Sequence, residues 1–414
     1  MHESFVGENK NRRKWIIIGI VGGIVALAII IGLSVGLTRK SSGPSDAFER
    51  AKWILENNIL IDGHNDLAWR ILAKAKSKLN NVNLNDDLKK VWGNISHTDI
   101  SRLKEGLLGG QFWALYVGCK QQYRDAVRAA LEQADIIRRF IAKYPNVFEY
   151  ATTADQVEEA FTKGKIASLI GMEGGHMIDS SLAALRMFYE LGVRYLTLTH
   201  NCATPWATEN GNENSFGLTD FGKRLIKEMN RMGMILDLSH VSVNTMKDAL
   251  DTTKAPVMYS HSSARAKCDS FRNVPDDILR RVKDNGGVVM VNFYNRFISC
   301  NSKANLTQVA DHIDHIKQTA GIDTVGIGGD YDGVDLTPIG LEDVSTYPKL
   351  FAELIRRNWS DEDLIKLAGK NILRVMRGVE KIKESMANDP VIEDQVEEKD
   401  LNMTCRTGFE EAIS

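Results

Sequence analysis

Six apolar runs in this chain each end on a residue that can bind a metal ion or move a proton: His64, Glu173, His200, His240, His261 and Asp330. Asp66 follows His64 by two positions. Imidazole and carboxylate are the ligand set of zinc in hydrolytic sites. His64 and Asp66 lie two apart on one extended segment, so they point to the same side and can grip one ion. His240 and His261, from consecutive segments, can grip a second. Glu173 has two oxygens and can bridge them. Two ions about 3.5–4 Å apart can share a hydroxide, polarise a carbonyl and stabilise an oxyanion. A lone His-x-Asp is usually structural, but four of the nine histidines end apolar runs. That coincidence points to one hydrolytic centre. His97, His312 and His315 end no such run; His312 and His315, spaced i,i+3, read as a solvated helix face, and His176 as structural.

The runs themselves read as strands: Asn58–His64, Phe112–Gly118, Ala167–Glu173, Tyr195–His200, Met234–His240, Pro256–His261, Gly287–Phe293 and Thr324–Asp330. They are nearly continuous in apolar residues, the pattern of parallel strands buried on both faces. Amphipathic stretches separate them. Asp125–Tyr144 sets Val127, Leu131, Ala134, Ile137 and Ile141 near one face; Phe221–Met232, Asn244–Leu250, Pro275–Val282, Leu306–Ala320 and Asp361–Met376 behave similarly. Eight strand–helix alternations predict an α/β fold, a (β/α)₈ TIM-like barrel, whose strand ends form one rim where active sites sit. The competing open doubly wound sheet wants a Gly-rich phosphate turn after its first strand, and Asp62-Gly63-His64-Asn65 is not one.

Six ordered segments carry a resemblance. They are Asp62–Leu67 (DGHNDL), Gly171–His176 (GMEGGH), Thr197–Asn201 (TLTHN), Asp237–Ser242 (DLSHVS), Ser260–Ser263 (SHSS) and Gly328–Gly333 (GGDYDG). Together, across about residues 50–378, the chain resembles the membrane (renal-type) dipeptidases, zinc-dependent enzymes of the metallo-dependent hydrolase superfamily. The resemblance implies hydrolysis of dipeptides by a metal-bridging hydroxide, two Zn²⁺ ions per chain and a homodimer. It implies His64 and Asp66 on one zinc, His240 and His261 on the other, and Glu173 between them. It implies His200 beside the scissile carbonyl, Asp330 as the proton carrier, and Arg272, in Phe271–Pro275 (FRNVP), on the substrate carboxylate. The residues alone do not single out Arg272, though a guanidinium reads a carboxylate bidentately.

The chain departs from the family at Ala68, where the family often has Pro, and in Thr208–Gly217, which is short beside mammalian members. Two other classes compete. Binuclear amidohydrolases of related barrels commonly carry His-x-His and a carboxylated Lys, where this chain has His64-x-Asp66 and Glu173. A non-catalytic surface protein on the same fold would usually have lost a ligand, and none is missing.

Residues 15–37 hold no charge and one polar side chain, Ser34. As a helix they extend about 34 Å, enough for a hydrocarbon core of about 30 Å. The run is too long for a signal peptide's apolar region. Lys10, Arg12, Arg13 and Lys14 precede it, which favours a cytoplasmic N-terminus. The organisation expected is a cytoplasmic segment 1–14, a signal anchor 15–37, a linker 38–49, an extracellular barrel 50–378 and a mobile or surface-draped tail 379–414. That is a single-pass type II protein of the plasma membrane; the end Phe409–Ser414 has no hydrophobic tail to support a lipid anchor. Sequons at Asn94, Asn305, Asn358 and Asn402 suit a glycoprotein.

Five cysteines are an odd count. Sequence alone leaves connectivity open; the resemblance supports Cys119–Cys202 and Cys268–Cys300. Cys405 is then left for an interchain disulfide in an oxidising compartment. With 52 basic and 54 acidic residues, net charge −2, nothing favours nucleic acid.

Overall fold

In the computed structural model the described residues are 43–212 and 216–408, with 14–16, 18–20 and 22–23 near the N-terminus. The chain divides into two compact units, Met1–Ser45 and Asp46–Ser414. In the first, the described residues between 14 and 23 are helical, with Trp15, Ile16, Ile18 and Ile20 exposed. Among the described residues no helix is long and apolar enough to cross a membrane. The span read at 15–37 lies mostly outside them.

The second unit is built on nine parallel strands: β1 (Ile61–Asn65), β2 (Gly110–Tyr116), β3 (Phe148–Tyr150), β4 (Ile166–Glu173), β5 (Val193–Thr197), β6 (Ile235–Asp237), β7 (Met258–Tyr259), β8 (Val288–Val291) and β9 (Val325–Ile327). β1 pairs with β2 and β9, and β2 also pairs with β4, closing β1, β2 and β4–β9 into an eight-stranded barrel. All eight barrel strands fall within or beside the apolar runs. β3 escaped the pattern because it has three residues; it pairs with the first half of β4, while β5 takes the second half.

Apolar side chains fill both sides of this wall. Ile61, Phe112, Leu169, Tyr195 and Met290 belong to one buried cluster, with the Phe112 and Tyr195 rings 5.3 Å apart. A larger cluster joins Ile170, Met172, Leu196, Leu236 and Val289 to the helices. The helix Ala126–Lys143 buries Ala126, Ala130, Ala134, Ile137 and Ile141, but Leu131 is exposed, so its inner face is rotated from the one read in sequence. Many helices leave their loops with a side-chain cap: Thr153, Ser181, Thr219, Ser242, Asn305 and Ser360 each accept a first-turn N–H.

The last helix runs to Ser385, past the end of the amphipathic pattern at Met376. Beyond it the chain lies on the barrel: Ile392 N–H donates to Glu228, Arg224 pairs with Asp394 at 2.7 Å, and Arg406 pairs with Asp179 at 2.5 Å.

Candidate active site

Regular pairing stops earlier than the sequence suggests, and the chemistry begins where it stops. His200, His240 and Asp330 each lie three residues past their strand, and His261 two residues past β7. His64 remains inside β1, and Glu173 ends β4. His240 and Asp330 take left-handed backbone conformations, φ 65° and 61°. The His240 carbonyl is held there by Thr199 Oγ1 at 3.0 Å and the Asn210 N–H at 2.8 Å. Such turns aim a side chain across the barrel mouth instead of along the sheet.

Glu173 is the meeting point. Its Oε1 lies 2.9 Å from His240 Nε2 and 3.1 Å from His261 Nε2, and those two nitrogens are 3.0 Å apart. Its Oε2 lies 3.6 Å from His64 Nε2, which is 3.1 Å from Asp66 Oδ2. His200 Nε2 is 4.0 Å from Oε1. Among the described residues three groups have ligand atoms close enough to share an ion: His64–Glu173–His261, Glu173–His200–His240 and His64–Asp66–Asp330. Asp66 Oδ1 is buried without a hydrogen-bond partner. Ligands about 2.0–2.2 Å from a tetrahedral ion stand near these separations from one another, so the donor set fits a buried metal centre.

The electrostatics agree with the geometry. Burial, with Arg272 and His200 nearby, holds His240 well below the ordinary histidine range; burial and His64 do the same to His261. Both are neutral imidazoles, the form that binds metal. Burial disfavours the Glu173 carboxylate, but the neighbouring His64, His200, His240 and His261 outweigh it and hold the carboxyl well below its usual range. Burial acts against a charge on His64 too, yet Tyr195, Glu173 and Asp66 raise it well above normal. The field between Glu173 and Asp66 therefore favours a cation. Burial raises Asp330 well above its usual range; His64 opposes this and Asp66 and Glu173 add to it.

The inner ring has a supporting ring. His64 Nδ1 meets Tyr195 OH at 2.9 Å, His240 Nδ1 meets Asn201 Oδ1 at 3.3 Å, and His261 Nδ1 meets Ser260 Oγ at 2.8 Å. A partner on the second nitrogen fixes ring orientation and tautomer. Glycine makes room in two places. A Cβ at Gly171 would fall 2.0 Å from the Tyr195 ring, and one at Gly333 would fall 2.2 Å from Asp66 Oδ2 and 2.6 Å from Asp330 Oδ1.

A cavity of about 290 Å³ opens over this centre, bordered by Trp69, Tyr116, Tyr294, Phe297 and Arg272. Arg272 is buried and donates to Ser262 Oγ at 3.3 Å and to the His261 carbonyl at 3.2 Å, while its Nε has no hydrogen-bond partner. Five N–H donors on the guanidinium leave some for an incoming anion. Cys119–Cys202 and Cys268–Cys300 are disulfides, and Cys405 is free and exposed. Cys119 Sγ lies 3.9 Å from His200 Nδ1.

The site thus gathers His64, Asp66, Glu173, His200, His240, His261, Asp330 and Arg272. The other histidines stand apart. His176 Nε2 donates to the Val117 carbonyl at 2.8 Å, as a structural residue would. His312 corrects the sequence reading: it is buried, not solvated, accepting the Ala264 N–H at Nδ1 and donating from Nε2 to the Ile298 carbonyl. His315 pairs with Asp276 at 2.8 Å. Tyr195, Asn201 and Ser260 were missed, because an isolated Tyr, Asn or Ser beside a strand carries no distinctive spacing.

Residues 48–390 match the family model "Membrane dipeptidase (Peptidase family M19)". The chain is 46% identical over 366 residues to Dipeptidase 3 of Rattus norvegicus, covering 87% of this chain and 73% of the relative. It is 47% identical over 351 residues to Dipeptidase 3 of Homo sapiens, covering 83% and 70%. A metallo peptidase from Rhodobacter sphaeroides, solved with a phosphinate mimic of the dipeptide L-Ala-D-Ala, superposes with a TM-score of 0.71 at 27% identity, covering 78% of this chain and 99% of that one. With eight parallel strands closed around a buried histidine–carboxylate cluster, this chain belongs to the membrane dipeptidase family M19, the metallo-dipeptidase hydrolases.

Proposed function

We propose that the chain is a two-zinc dipeptidase of the cell surface, with His64 and Asp66 holding one ion, His240 and His261 the other, and Glu173 shared. The observation that carries this is the approach of His240 and His261 to one Glu173 oxygen while His64 approaches the other. Bound there, the ions supply electrophilic activation of the carbonyl and a water acidic enough to deprotonate near neutral pH.

The rest is work for the protein. Arg272 takes the free C-terminal carboxylate of a dipeptide, offering unused guanidinium donors from a buried position. This fixes the C-terminal end of the substrate, because a peptide extended there puts an amide where the carboxylate belongs. His200 lies in the same cavity. Burial lowers it to about 4, so at neutral pH it is an uncharged imidazole that donates one N–H to the carbonyl oxygen as negative charge develops there. Asp330 accepts a proton at its carboxylate and passes it to the leaving amine, a role suited to a carboxyl raised above its usual range. The relative solved with a phosphinate mimic of a dipeptide supports a substrate of this class.

The setting is the outside of the plasma membrane. Two disulfides suit an oxidising compartment. The four sequon asparagines Asn94, Asn305, Asn358 and Asn402 are exposed. Residues 15–37 anchor the chain, and Cys405 links two copies into a homodimer. Metal analysis with a dipeptide panel and tripeptide controls tests the enzyme. Two zinc ions per chain and cleavage confined to dipeptides are expected; robust tripeptide cleavage overturns the reading. Non-reducing electrophoresis of wild type and Cys405→Ser tests the dimer, and a monomeric wild-type band counts against it.

A further inference from the structure

Behind His261, away from the cavity, lies a chain of buried polar groups that the reaction described above does not use. Asp237, at the end of β6, Thr197, at the end of β5, and Ser260, next to β7, are all fully buried. Asp237 Oδ1 accepts the N–H of Ser239 at 3.1 Å and of Ser260 at 2.8 Å. Asp237 Oδ2 accepts the hydroxyls of Thr197 at 2.5 Å and Ser260 at 2.6 Å. A carboxylate offers about four acceptor sites, so these donors fill it.

The shortest contact decides the proton count: Ser260 Oγ lies 2.6 Å from Asp237 Oδ2, against 3.4 Å from Ser239 Oγ. The single Ser260 hydroxyl proton goes to Asp237. Ser260 Oγ, 2.8 Å from His261 Nδ1, has only lone pairs left on that side. His261 must therefore carry its proton on Nδ1 and donate it to Ser260. Its Nε2 is left bare, 3.1 Å from Glu173 Oε1. Only that tautomer can bind a metal through Nε2. The opposite one would aim an N–H into the centre.

We infer that Asp237 is a positioning residue for the metal centre: acting through Ser260, it sets the His261 tautomer and presents the Nε2 lone pair. The inference rests on His261 being a metal ligand. Neither neighbouring imidazole depends on a carboxylate in this way, since His64 meets the Tyr195 hydroxyl and His240 the Asn201 side chain. His261 is thus the ligand whose second nitrogen is tied through a hydroxyl to a carboxylate.

The test measures zinc affinity of the full-length protein by competition with a chromophoric chelator, with thermal unfolding of the metal-free protein as the check on folding. In Asp237→Asn an amide NH₂ placed at the Oδ2 position donates to Ser260, which turns its own proton toward Nδ1 and reverses the tautomer. The zinc held by His261 should then bind about 10- to 100-fold less tightly, the usual size of such supporting contacts. Ser260→Ala removes the acceptor without reversing the relay and should weaken the same ion by about 10-fold; it decides the matter if Asp237→Asn does not fold. Cobalt(II) substituted for zinc should show an altered visible spectrum in both variants. If His261→Ala loses an ion while Ser260→Ala and any folded Asp237→Asn bind zinc as wild type does, the relay is wrong and the ligand stands. If His261→Ala keeps both ions at full affinity, the ligand assignment fails and the relay with it.

Discussion

His240 Nε2 faces His261 Nε2 at 3.0 Å, with Glu173 Oε1 2.9 and 3.1 Å from the two. Two neutral imidazoles do not attract one another through bare lone pairs. Their approach is held by the turns after β6 and β7 and by the groups behind each ring. Both strands are very short, three and two residues, so the polar loops begin deep inside the barrel wall. His240 and His261, carried by those loops, are both buried.

In the proposed assignment Glu173 is shared by both ions, so Glu173→Gln should be the most damaging isosteric change. The amide presents one N–H₂ toward a nitrogen or carboxylate that cannot accept it in a metal-bound state. We expect zinc content after gel filtration to fall from two ions per chain to one or none, with activity lost. Retention of both ions would show that Glu173 does not bridge.

Asp330 is assigned a proton, not an ion. Asp330→Asn should leave zinc content unchanged and lower kcat by about 10²–10⁴, the range for loss of a general acid–base group. KM should move little. Turnover within a few-fold of wild type would remove Asp330 from the proton path.

Arg272 should reveal itself through the substrate's carboxylate. Arg272→Lys keeps the charge and loses the planar fork, and Arg272→Ala loses both. Loss of a charge-assisted hydrogen bond is worth about 1.5–3 kcal/mol, or about 10- to 100-fold in kcat/KM. The loss should appear with a free dipeptide and be nearly absent with the dipeptide amide, which wild type should itself handle poorly. Equal losses on both substrates would place Arg272 in a structural role.

The Cys119–Cys202 bridge ties the loop after β2 to the loop that carries His200, with Cys119 Sγ 3.9 Å from His200 Nδ1. The Tyr116 ring stands edge-on to His200 at 4.9 Å. Removing the bridge as Cys119→Ser/Cys202→Ser should free His200 while leaving the ligands of both ions in place. We expect full zinc content with kcat/KM reduced at least 10-fold, and stability lowered by about 2–5 kcal/mol. Unchanged kinetics would mean that the bridge serves stability alone.

The barrel was legible because its strands are buried on both faces and so read as unbroken apolar runs, and the candidate ligands because polar residues ending such runs stand out. What was not legible depends on contacts across the fold. Arg272 lies in a loop, and its place is set by the carbonyl of His261, 11 residues earlier. Tyr195 reads as an ordinary strand aromatic until the missing side chain of Gly171 lets its ring slide beneath His64. Leu131 has the right period for a buried face but lies just outside the arc that touches β2 and β4. His312 and His315 have the spacing of a surface pair, and only the segment containing Ile298, folded over the helix, buries one of them.

That burial gives His312 a measurable consequence. Burial, aided by Lys267, lowers it to about 4, against an unfolded value of about 6.5. Its bond to the Ile298 carbonyl and the Asp311 charge oppose this without reversing it. The folded protein holds the ring neutral while the unfolded chain takes up a proton below about pH 6.5. The unfolded state binds more protons between the two values, so this contribution is complete above about pH 6.5 and is lost as pH falls toward 4. At pH 5 the loss is about 2 kcal/mol. In His312→Asn the side chain no longer titrates. The wild type should therefore lose about 2 kcal/mol more than the variant between pH 7 and pH 5, read by urea unfolding of the metal-free protein at each pH. Measuring without metal keeps proton competition at the zinc ligands out of the comparison. Parallel pH profiles for the two proteins would show that His312 is accessible to protons in the folded state.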